Sequence, residues 1–390
     1  MHGTRIVDLS RVLAGPWATM HLADQGADVI KVEPPEGDET RSFGPFLNGE
    51  STYFASCNRN KRSIALDLKH PAGREVLLRL LGTADVLLHN FRPGVDERLG
   101  LRWDALHQRF PRLVLVVIHA FGDQPGREDR LRPGYDLVVQ CMSGTVSLGG
   151  FPGSPPTRAG VSTADHIAGL LAVQGVLSGL LDRERTGEGQ RVEVNMLHAQ
   201  ASTLSYHVTR YTLTGEAEER RGNAHAGLVP YNLYKCSDGW LAVSCGNDRI
   251  WQRLRLALDL PDEPAWRSNP GRVADRETLE AALEAALCER TVASADALLC
   301  EHGVPVGPVN DLPTAIAHPA VELVDVPHPT WGAFRALGPI LHTKTTVTAH
   351  RAPPALGEHR DELLTELGLS APDIAVLRAR GAFGEDHERS

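Results

Sequence analysis

The stretch RIVDLSRVLAGPWATMHLADQGADVIKVE (residues 5–33) contains two apolar runs separated by a helical segment. RIVDLS (5–10) and DVIKVE (28–33) are predicted to be strands. PWATMHLADQG (16–26) is predicted to be a helix that opens with Pro16 at its first position. A strand, a helix and a strand in this order are typical of a parallel βαβ unit.

The same alternation continues downstream of this unit. SIALDL (63–68) precedes a predicted helix from Pro71 to Leu81, and DVLLHN (85–90) and LVLVVIHAF (113–121) are two further predicted strands. Strands that alternate with helices favour a parallel sheet with right-handed crossovers. We therefore predict an α/β fold whose large domain is an open, doubly wound, Rossmann-like parallel sheet.

The motifs of several common chemistries are absent from the sequence. The first turn, SRVLAGPWA, has no G-x-G-x-x-G, and Pro16 removes an amide that would hold a pyrophosphate. A Walker loop, a G-x-S-x-G elbow and H-E-x-x-H are also missing, and the 17 histidines are dispersed. We expect no dinucleotide fingerprint, no metal site and no tightly bound cofactor.

The bulk composition sets the class of protein. A chain of 390 residues with 42% hydrophobic and 23% charged residues is typical of a soluble globular protein of about two domains. The net charge of −9 argues against a nucleic-acid partner, and the longest apolar run, LVLVVI (113–118), is too short to span a membrane. The six cysteines form no C-x-x-C pair, and we expect no signal peptide, because a strand-like run follows almost at once after Met1. We expect a cytoplasmic protein without a membrane partner.

The character of the sequence changes from about Gly222 onward. Pro, Asn and Gly cluster before GWLAVSCG (239–246), and three helical stretches follow at 248–258, 276–290 and 293–302. This pattern predicts a smaller α+β domain. We divide the chain into a large domain (1–200), a linker (201–224), a small domain (225–325), a second linker (326–354) and C-terminal helices (355–390) that return to the large domain.

An acidic residue stands at the start of an otherwise apolar helix, STADHIAGLL (162–171), which is predicted to continue to about Leu181. Ser162 followed three residues later by Asp165 is a capping-box pattern. A carboxylate in the first turn is also favoured by the helix dipole. The local sequence thus explains Asp165 by capping and leaves catalysis as the alternative.

A family resemblance extends over nearly the whole chain. It is carried by the segments VDLSRVLAGP (7–16), LADQGADVIKVEPPEGDETR (22–41), NRNKRSIALDLK (58–69), ADVLLHNFRPGVDERLGL (84–101), YDLVVQCMSG (135–144), RERTGEGQRVEV (183–194) and LGEHRDELLTELG (356–368). In this order they resemble the family III CoA-transferases, which include formyl-CoA and carnitine CoA-transferases and the α-methylacyl-CoA racemases. The resemblance implies a large and a small domain, long linkers, and a homodimer interlocked like chain links with the active site between subunits.

The resemblance also implies that Asp165 is the catalytic aspartate, because it lies about 20 residues before the R-x-x-T-G-x-G-Q turn. A carboxylate that attacks a thioester forms a mixed anhydride, which remains an activated acyl donor, and the released CoA then forms an aspartyl thioester. Water must be excluded from both intermediates. Backbone amides near Asp165 or in the 222–230 loop are expected to stabilise the oxyanion.

Family position further implies contacts with coenzyme A, which is a substrate here rather than a bound cofactor. Its phosphates require Arg or Lys, and its adenine requires an apolar slot. Each candidate also has a structural alternative, such as core packing for an aromatic ring or solvation for a surface cation. The candidates are Val12, Ala14, Lys69, Asn90, Phe91, Arg98 and Tyr135.

Differences from the sequences of related enzymes narrow the range of reactions that we expect. The racemases carry G-H-D where this chain has G-Y-D (134–136), and Tyr135 is a poor base at neutral pH. We therefore predict transfer of CoA from an acyl-CoA to a free carboxylic acid. An acyl-CoA racemase or epimerase on the same scaffold is the alternative, and a CoA-binding protein without turnover is a rival of another class.

The acid pocket also differs from that of the formyl-CoA transferases. Leu13 stands where they carry Gln, and GNAHAGLVPY (222–231) replaces a run of glycines. These features favour dicarboxylates such as succinate, mesaconate, citramalate or glutarate. An arginine fork suits a distal carboxylate, although surface ion pairs are the favoured alternative for the arginines and turn capping is an alternative for the histidine. The candidate pocket residues are Leu13, Arg41, Asp136 and His225, with Arg158 as a second arginine.

Overall fold

The structure, a computed structural model, describes residues 1–384, which form two compact units. The larger unit contains Met1–Gly144, Gly160–Leu204 and the described residues from Glu322 onward, and the smaller contains Thr145–Ala159 and Ser205–Val321. The segment 145–159, which we predicted within the large domain, thus belongs to the smaller unit. Residues 385–390, the end of the predicted C-terminal segment, lie outside the described residues.

The strands follow the apolar runs of the sequence, and the predicted strand 28–33 has the same bounds in the structure. In chain order they are β1 (Arg5–Asp8), β2 (Asp28–Glu33), β3 (Phe46–Leu47), β4 (Glu50–Ser51), β5 (Arg62–Ala65), β6 (Val86–His89), β7 (Val114–His119), β8 (Arg191–Asn195), β9 (Tyr231–Lys235), β10 (Trp240–Ser244), β11 (Val306–Pro308), β12 (Leu323–His328) and β13 (Gly332–Leu337).

The helices alternate with the strands of the first half and dominate the second half. In chain order they are α1 (Ala14–Asp24), α2 (Thr52–Ser56), α3 (Pro71–Leu81), α4 (Val95–Leu99), α5 (Trp103–Arg109), α6 (Asp136–Met142), α7 (Thr145–Leu148), α8 (Thr163–Thr186), α9 (Met196–Ser202), α10 (Tyr206–Thr214), α11 (Asp248–Ala257), α12 (Asn269–Ala274), α13 (Arg276–Leu287), α14 (Val292–Glu301), α15 (Leu312–Ile316), α16 (Arg360–Glu366) and α17 (Ala371–Ala379).

The larger unit is built on a six-stranded sheet with the order β5-β2-β1-β6-β7-β8. Every neighbouring pair in it is parallel, which confirms the predicted parallel α/β sheet. From β1 the chain first adds β2 and β5 on one side, and it then adds β6, β7 and β8 on the other. Open sheets of this kind bind ligands where the strand order reverses, outside the carboxyl ends of the strands.

Successive residues of the strands point to opposite faces of the sheet, and each face has its own apolar core. Val7 belongs to one cluster, which α3, α16 and α17 complete with residues such as Leu77, Leu364 and Leu377. Ile6 belongs to the second cluster, which includes residues of α1, α8 and α9. Helices therefore cover both faces, as the near-continuous apolar strands require.

Helix α8 lies close to the sheet and to α1 because the face it buries carries small residues. A Cβ at Gly179 would lie 2.5 Å from Val114 Cγ1, and a Cβ at Gly169 would lie 2.9 Å from the carbonyl oxygen of Ala14. This close approach brings the first turn of α8, with Asp165, beside the turn that joins β1 to α1.

Helix α8 has 24 residues and contains an 18-residue window with a mean hydropathy of 1.4, so it satisfies a simple test for a membrane span. A core helix passes the same test, and α8 contacts β7, β8 and α1. Packing accounts for its buried small residues but not for its exposed leucines.

The smaller unit contains an antiparallel sheet with the order β11-β10-β9. Its core includes Tyr234 from β9, Trp251 from α11 and Leu283 from α13. Two predictions in the second half were wrong in detail. The sequence predicts one helix over residues 197–214, but the structure divides this segment into α9 and α10, with Ser205 at a φ of 39° between them. Part of the expected linker 326–354 pairs as the β12–β13 hairpin.

Candidate active site

A cavity of about 690 Å³ lies in the larger unit at the carboxyl ends of the parallel strands. Its walls are formed largely by residues that follow the strands, as expected for an open parallel sheet. These include Leu9, Arg11 and Val12 after β1, Pro34 after β2, residues 66–69 after β5, Asn90 and Phe91 after β6, Ala120 and Phe121 after β7, and Met196 after β8.

Most of the predicted site residues line this one cavity. The catalytic candidate Asp165, the seven CoA candidates and Leu13 are all among its lining residues. Arg41 and Asp136 are not among them, and His225 and Arg158 belong to the smaller unit. The lining candidates are Val12, Leu13, Ala14, Lys69, Asn90, Phe91, Arg98, Tyr135 and Asp165.

Asp165 is half-buried in the first turn of α8 and faces the cavity. Its carboxylate forms no hydrogen bond or ion pair with a residue of the described chain, although its backbone amide lies 3.4 Å from Asp136 Oδ1. Burial raises the pKa of Asp165, and the negative charge of Asp136 raises it further, to about 7. The side chain is thus free to react and is half-ionised near neutral pH.

The predicted capping box at Ser162 is wrong. Ser162 is the N-cap residue of α8, but its side chain makes no capping hydrogen bond. The carboxylate of Asp136 caps the helix instead, since its Oδ1 accepts the amide of Ala164 at 2.9 Å and lies 3.4 Å from the amide nitrogen of Asp165. Gln140 Nε2 donates to the other oxygen of Asp136 at 2.7 Å. Asp136 is therefore a buried helix cap and not a wall of the acid pocket.

The turn between β1 and α1 forms one wall of the cavity in a strained conformation. Val12 has a φ of 68°, which is rare for a β-branched residue. Its amide donates to Asp38 Oδ1 at 3.3 Å. Asn90 clamps the preceding residue, because its Oδ1 accepts the amide of Arg11 at 2.9 Å and its Nδ2 donates to the Arg11 carbonyl at 2.8 Å. The Asn90 amide group thus holds the turn, although the residue also lines the cavity.

Buried ion pairs support this turn from below. Lys31 Nζ lies 2.8 Å from Asp38 Oδ2 and donates to the Ser10 carbonyl at 3.0 Å. Lys61 Nζ lies 3.3 Å from Asp8 Oδ2, and all four charged side chains are almost completely buried. Burial alone would raise the pKa of Asp38, but Lys31 and the hydrogen bonds of Thr40 lower it to about 2. The pair is therefore ionised at neutral pH.

The remaining acid-pocket candidates serve structural roles. Both nitrogens of the Arg41 fork contact the Glu33 carboxylate at 2.7 Å, and its guanidinium stacks 3.7 Å from the centre of the Phe54 ring. The alternative of an ion pair is thus correct for Arg41, although the pair is internal. His225 Nδ1 accepts the Gly227 amide at 3.0 Å, so the turn-capping alternative describes it. The exposed Arg158 donates to the carbonyl of Ala159.

The cavity rim is richer in cations than the sequence analysis predicted. Arg11, Arg92, Arg130 and Arg132 line it together with Lys69 and Arg98. Arg130 pairs with Asp123, and Arg11 lies 3.9 Å from Glu39. Within residues 1–384, the other four form no ion pair. The signal for the missed arginines was their position in the segments after β1, β6 and β7, at the edge of the sheet that binds ligands.

The family model of CoA-transferase family III matches residues 1–360. The chain belongs to this family. The predicted family resemblance is therefore confirmed, and the protein is a CoA-transferase with coenzyme A as a substrate.

Individual relatives cover most or all of the chain. It is 37% identical to succinyl-CoA:glutarate CoA-transferase of Mus musculus, over 100% of this chain and 91% of the relative. It is 39% identical to acetyl-CoA:oxalate CoA-transferase of Acetobacter aceti, over 80% and 81%. A crystal structure of a CAIB/BAIF family protein from Brucella suis superposes with a TM-score of 0.82 at 35% identity, over 94% of this chain and 98% of that one.

Asp165→Asn is expected to stabilise the folded protein above pH 7 and to leave its stability nearly unchanged near pH 4. The pKa of about 7 in the folded state exceeds the ordinary value of 3.8, so ionisation opposes folding. The free energy of unfolding should therefore fall as the pH rises from about 4 to about 7. The amide does not titrate, and we expect a gain of about 2–4 kcal/mol above pH 7. Urea unfolding at pH 4, 5 and 8 measures it.

Asp104 provides a matched control, because it is also an acid in the first turn of a helix but its side chain is 85% exposed. Asp104→Asn should change the free energy of unfolding little at any of the three pH values. A loss of stability in Asp165→Asn at pH 8, as for a removed helix cap, would contradict our interpretation.

Proposed function

We propose that the protein transfers CoA from an acyl-CoA thioester to a free carboxylic acid through covalent intermediates on Asp165. The observation that carries this proposal is a carboxylate without a protein partner that lines a cavity with a cationic rim. A nucleophile must be exposed to the substrate and must not be neutralised by an ion pair. Asp165 meets both requirements.

The proposed reaction uses the carboxylate in two successive exchanges. An oxygen of Asp165 attacks the thioester carbonyl, the C–S bond breaks, and a mixed anhydride forms while the CoA thiolate leaves. The thiolate then attacks the Asp165 carbonyl, which forms an aspartyl-CoA thioester and releases the first acid. The acceptor acid repeats both exchanges in reverse order. Apolar walls that include Leu13, Phe91 and Met196 help to exclude water from these intermediates.

We assign coenzyme A to the cationic rim. Lys69, Arg92, Arg98 and Arg132 have no protein counter-ion within the described chain and suit the phosphate groups. Phe91 and the exposed Tyr135 offer aromatic surface beside them. The turn of Val12 and Ala14 lies beside Asp165, where the thioester end of the ligand must reach.

We further propose that the acceptor is a dicarboxylic acid. The relatives named above act, by their names, on glutarate and on oxalate, which differ in length but share two carboxylates. Leu13 offers an apolar surface in the cavity where the formyl-CoA transferases carry an amide. Because Arg41 is committed to Glu33, we do not assign it to the distal carboxylate of the acceptor.

Incubation with succinyl-CoA should modify Asp165 covalently. We expect hydroxylamine to convert the activated aspartyl group to a hydroxamate, which peptide mass spectrometry locates. The same enzyme should transfer CoA to glutarate, mesaconate or oxalate faster than to acetate or butyrate. Asp165→Asn should abolish both modification and turnover while it still binds CoA.

Full turnover with an unmodified Asp165 would contradict the covalent mechanism. The racemase alternative predicts a different product: deuterium from the solvent would enter the α-carbon of a chiral acyl-CoA without any acceptor acid. Binding of CoA without either reaction would favour a protein that only binds CoA.

Arg98→Gln should weaken the binding of CoA by about tenfold, which corresponds to the loss of one charge-assisted hydrogen bond. The effect should decrease as the salt concentration rises, because the lost contact is electrostatic. Isothermal titration with CoA at low and high salt measures both. Arg102→Gln is the control, since Arg102 is a nearby exposed arginine that does not line the cavity. Equal losses in the two variants would contradict our assignment of Arg98.

The protein is also proposed to be an interlocked homodimer, as the family resemblance implies. Leu170, Leu177 and Leu181 on α8 are 48%, 43% and 76% exposed in the single chain. Leucines that recur on one helix form an apolar surface that a second copy would bury. Sedimentation should give a mass twice that of the 42.3 kDa chain. A monomer at micromolar concentration would contradict the proposed dimer.

A further inference from the structure

Two carboxylates meet at the start of α8, and only one of them faces the cavity. Asp136 is 8% exposed, and its Oδ1 accepts the Ala164 amide and approaches the Asp165 amide. Gln140 holds its other oxygen. In the part of the chain that the structure describes, no Lys, Arg or His forms an ion pair with Asp136. A buried negative charge therefore lies beside the nucleophile, and the only groups that stabilise it are neutral donors.

We propose that Asp136 is a positioning residue for the transfer reaction, whose buried charge caps α8 in place of Asp165 and disfavours the anionic nucleophile relative to its acylated form. This inference rests on the proposed function of Asp165. It concerns the neighbour that controls the nucleophile rather than the nucleophile itself.

The first effect is geometric. A helix N-terminus attracts the nearest carboxylate, because its amides are unsatisfied and the dipole favours a negative charge. Without Asp136, the Asp165 side chain would be the nearest anion and would be drawn toward these amides. Because Asp136 already accepts the Ala164 amide, the Asp165 carboxylate forms no hydrogen bond within the described chain. It therefore stays in the cavity.

The second effect follows from the charge balance of the reaction. When an Asp165 oxygen bonds to the acyl carbon, the C–S bond breaks and the negative charge leaves with the CoA thiolate. When the thiolate then bonds to the Asp165 carbonyl carbon, the C–O bond to the acyl group breaks and the charge leaves with the released carboxylate. Residue 165 is uncharged in both covalent states. Its repulsion with Asp136 therefore exists only in the resting enzyme and favours acylation.

The other titratable groups around α8 do not replace this effect. Besides Asp136, the charge of no other group contributes to the raised pKa of Asp165. The burial of the phenol raises the pKa of Tyr53 to about 12, so that Tyr53 stays neutral. The titratable groups on the elements that contact α8, and on its own first turn, are His21 and Asp24 on α1, Asp136 and Cys141 on α6, His119 on β7, Arg191 and Glu193 on β8, His198 on α9 and His166 on α8 itself.

The pH dependence of turnover tests the proposal. In the wild type, kcat/KM should fall on the acid side with a midpoint near pH 7, because protonated Asp165 cannot attack. Asp136→Asn keeps an oxygen for the Ala164 amide but removes the charge, so the midpoint should fall by about one pH unit. At pH 8.5, above both midpoints, the fraction of Asp165 trapped by hydroxylamine in the steady state should fall by about tenfold, which corresponds to one pKa unit.

Two further variants separate the effect of the Asp136 charge from the effect of its hydrogen bonds on the structure. Asp136→Ser retains a capping hydroxyl without charge and should shift the midpoint in the same direction. Gln140→Met removes a hydrogen bond to Asp136 but keeps its charge, so it should alter the melting temperature and leave the midpoint in place. A midpoint that stays near pH 7 in both charge-removing variants, while wild-type Asp165 is trapped normally, overturns the inference alone. An untrapped wild-type Asp165 with full turnover overturns the proposed function as well.

Discussion

The cavity wall depends on a pair of buried ion pairs beneath the turn that joins β1 to α1. Lys31 and Asp38 hold the Ser10 carbonyl and the Val12 amide, and Lys61 joins Asp8 to the first turn of α1. Removing charges from water is costly, and such pairs persist only when further hydrogen bonds satisfy each group. These pairs meet that condition. They also hold Val12 in a strained backbone conformation that a valine does not favour by itself.

The sequence was a good guide to the elements of the larger unit, because buried parallel strands appear as short apolar runs between helices. The helix predicted from Pro71 to Leu81 has the same bounds in the structure, since proline and glycine mark its ends. Prediction failed where the structure of a segment depends on a pairing partner elsewhere in the chain. The pairing of β12 with β13 depends on a partner strand, and a segment rich in Pro, Thr and His gave no alternation to indicate it.

The same distinction applies to the candidate site. Residues inferred from long family motifs, such as Phe91 and Arg98, line the cavity, because those motifs follow strands whose carboxyl ends meet. Residues inferred from their chemistry alone have other partners or roles in the structure. Arg41 suits a substrate carboxylate, but Glu33 at the end of β2 is closer and fully committed to it. Ser162 has the spacing of a cap, but a carboxylate from α6 reaches the amides first. A local sequence pattern cannot show that a carboxylate from another helix competes for these amides.

The capping arrangement explains how the proposed nucleophile, Asp165, can occupy a position in which an acid normally stabilises its own helix. An acid that capped its own helix would gain hydrogen bonds and a favourable dipole interaction, and both would lower its pKa and its basicity. Asp136 takes up both stabilising interactions and adds a repulsion, so Asp165 is left as a more basic carboxylate that faces the cavity. The folded protein loses stability through this arrangement. In the proposed mechanism the repulsion disappears when the carboxylate is acylated, so this lost stability would favour the first covalent step.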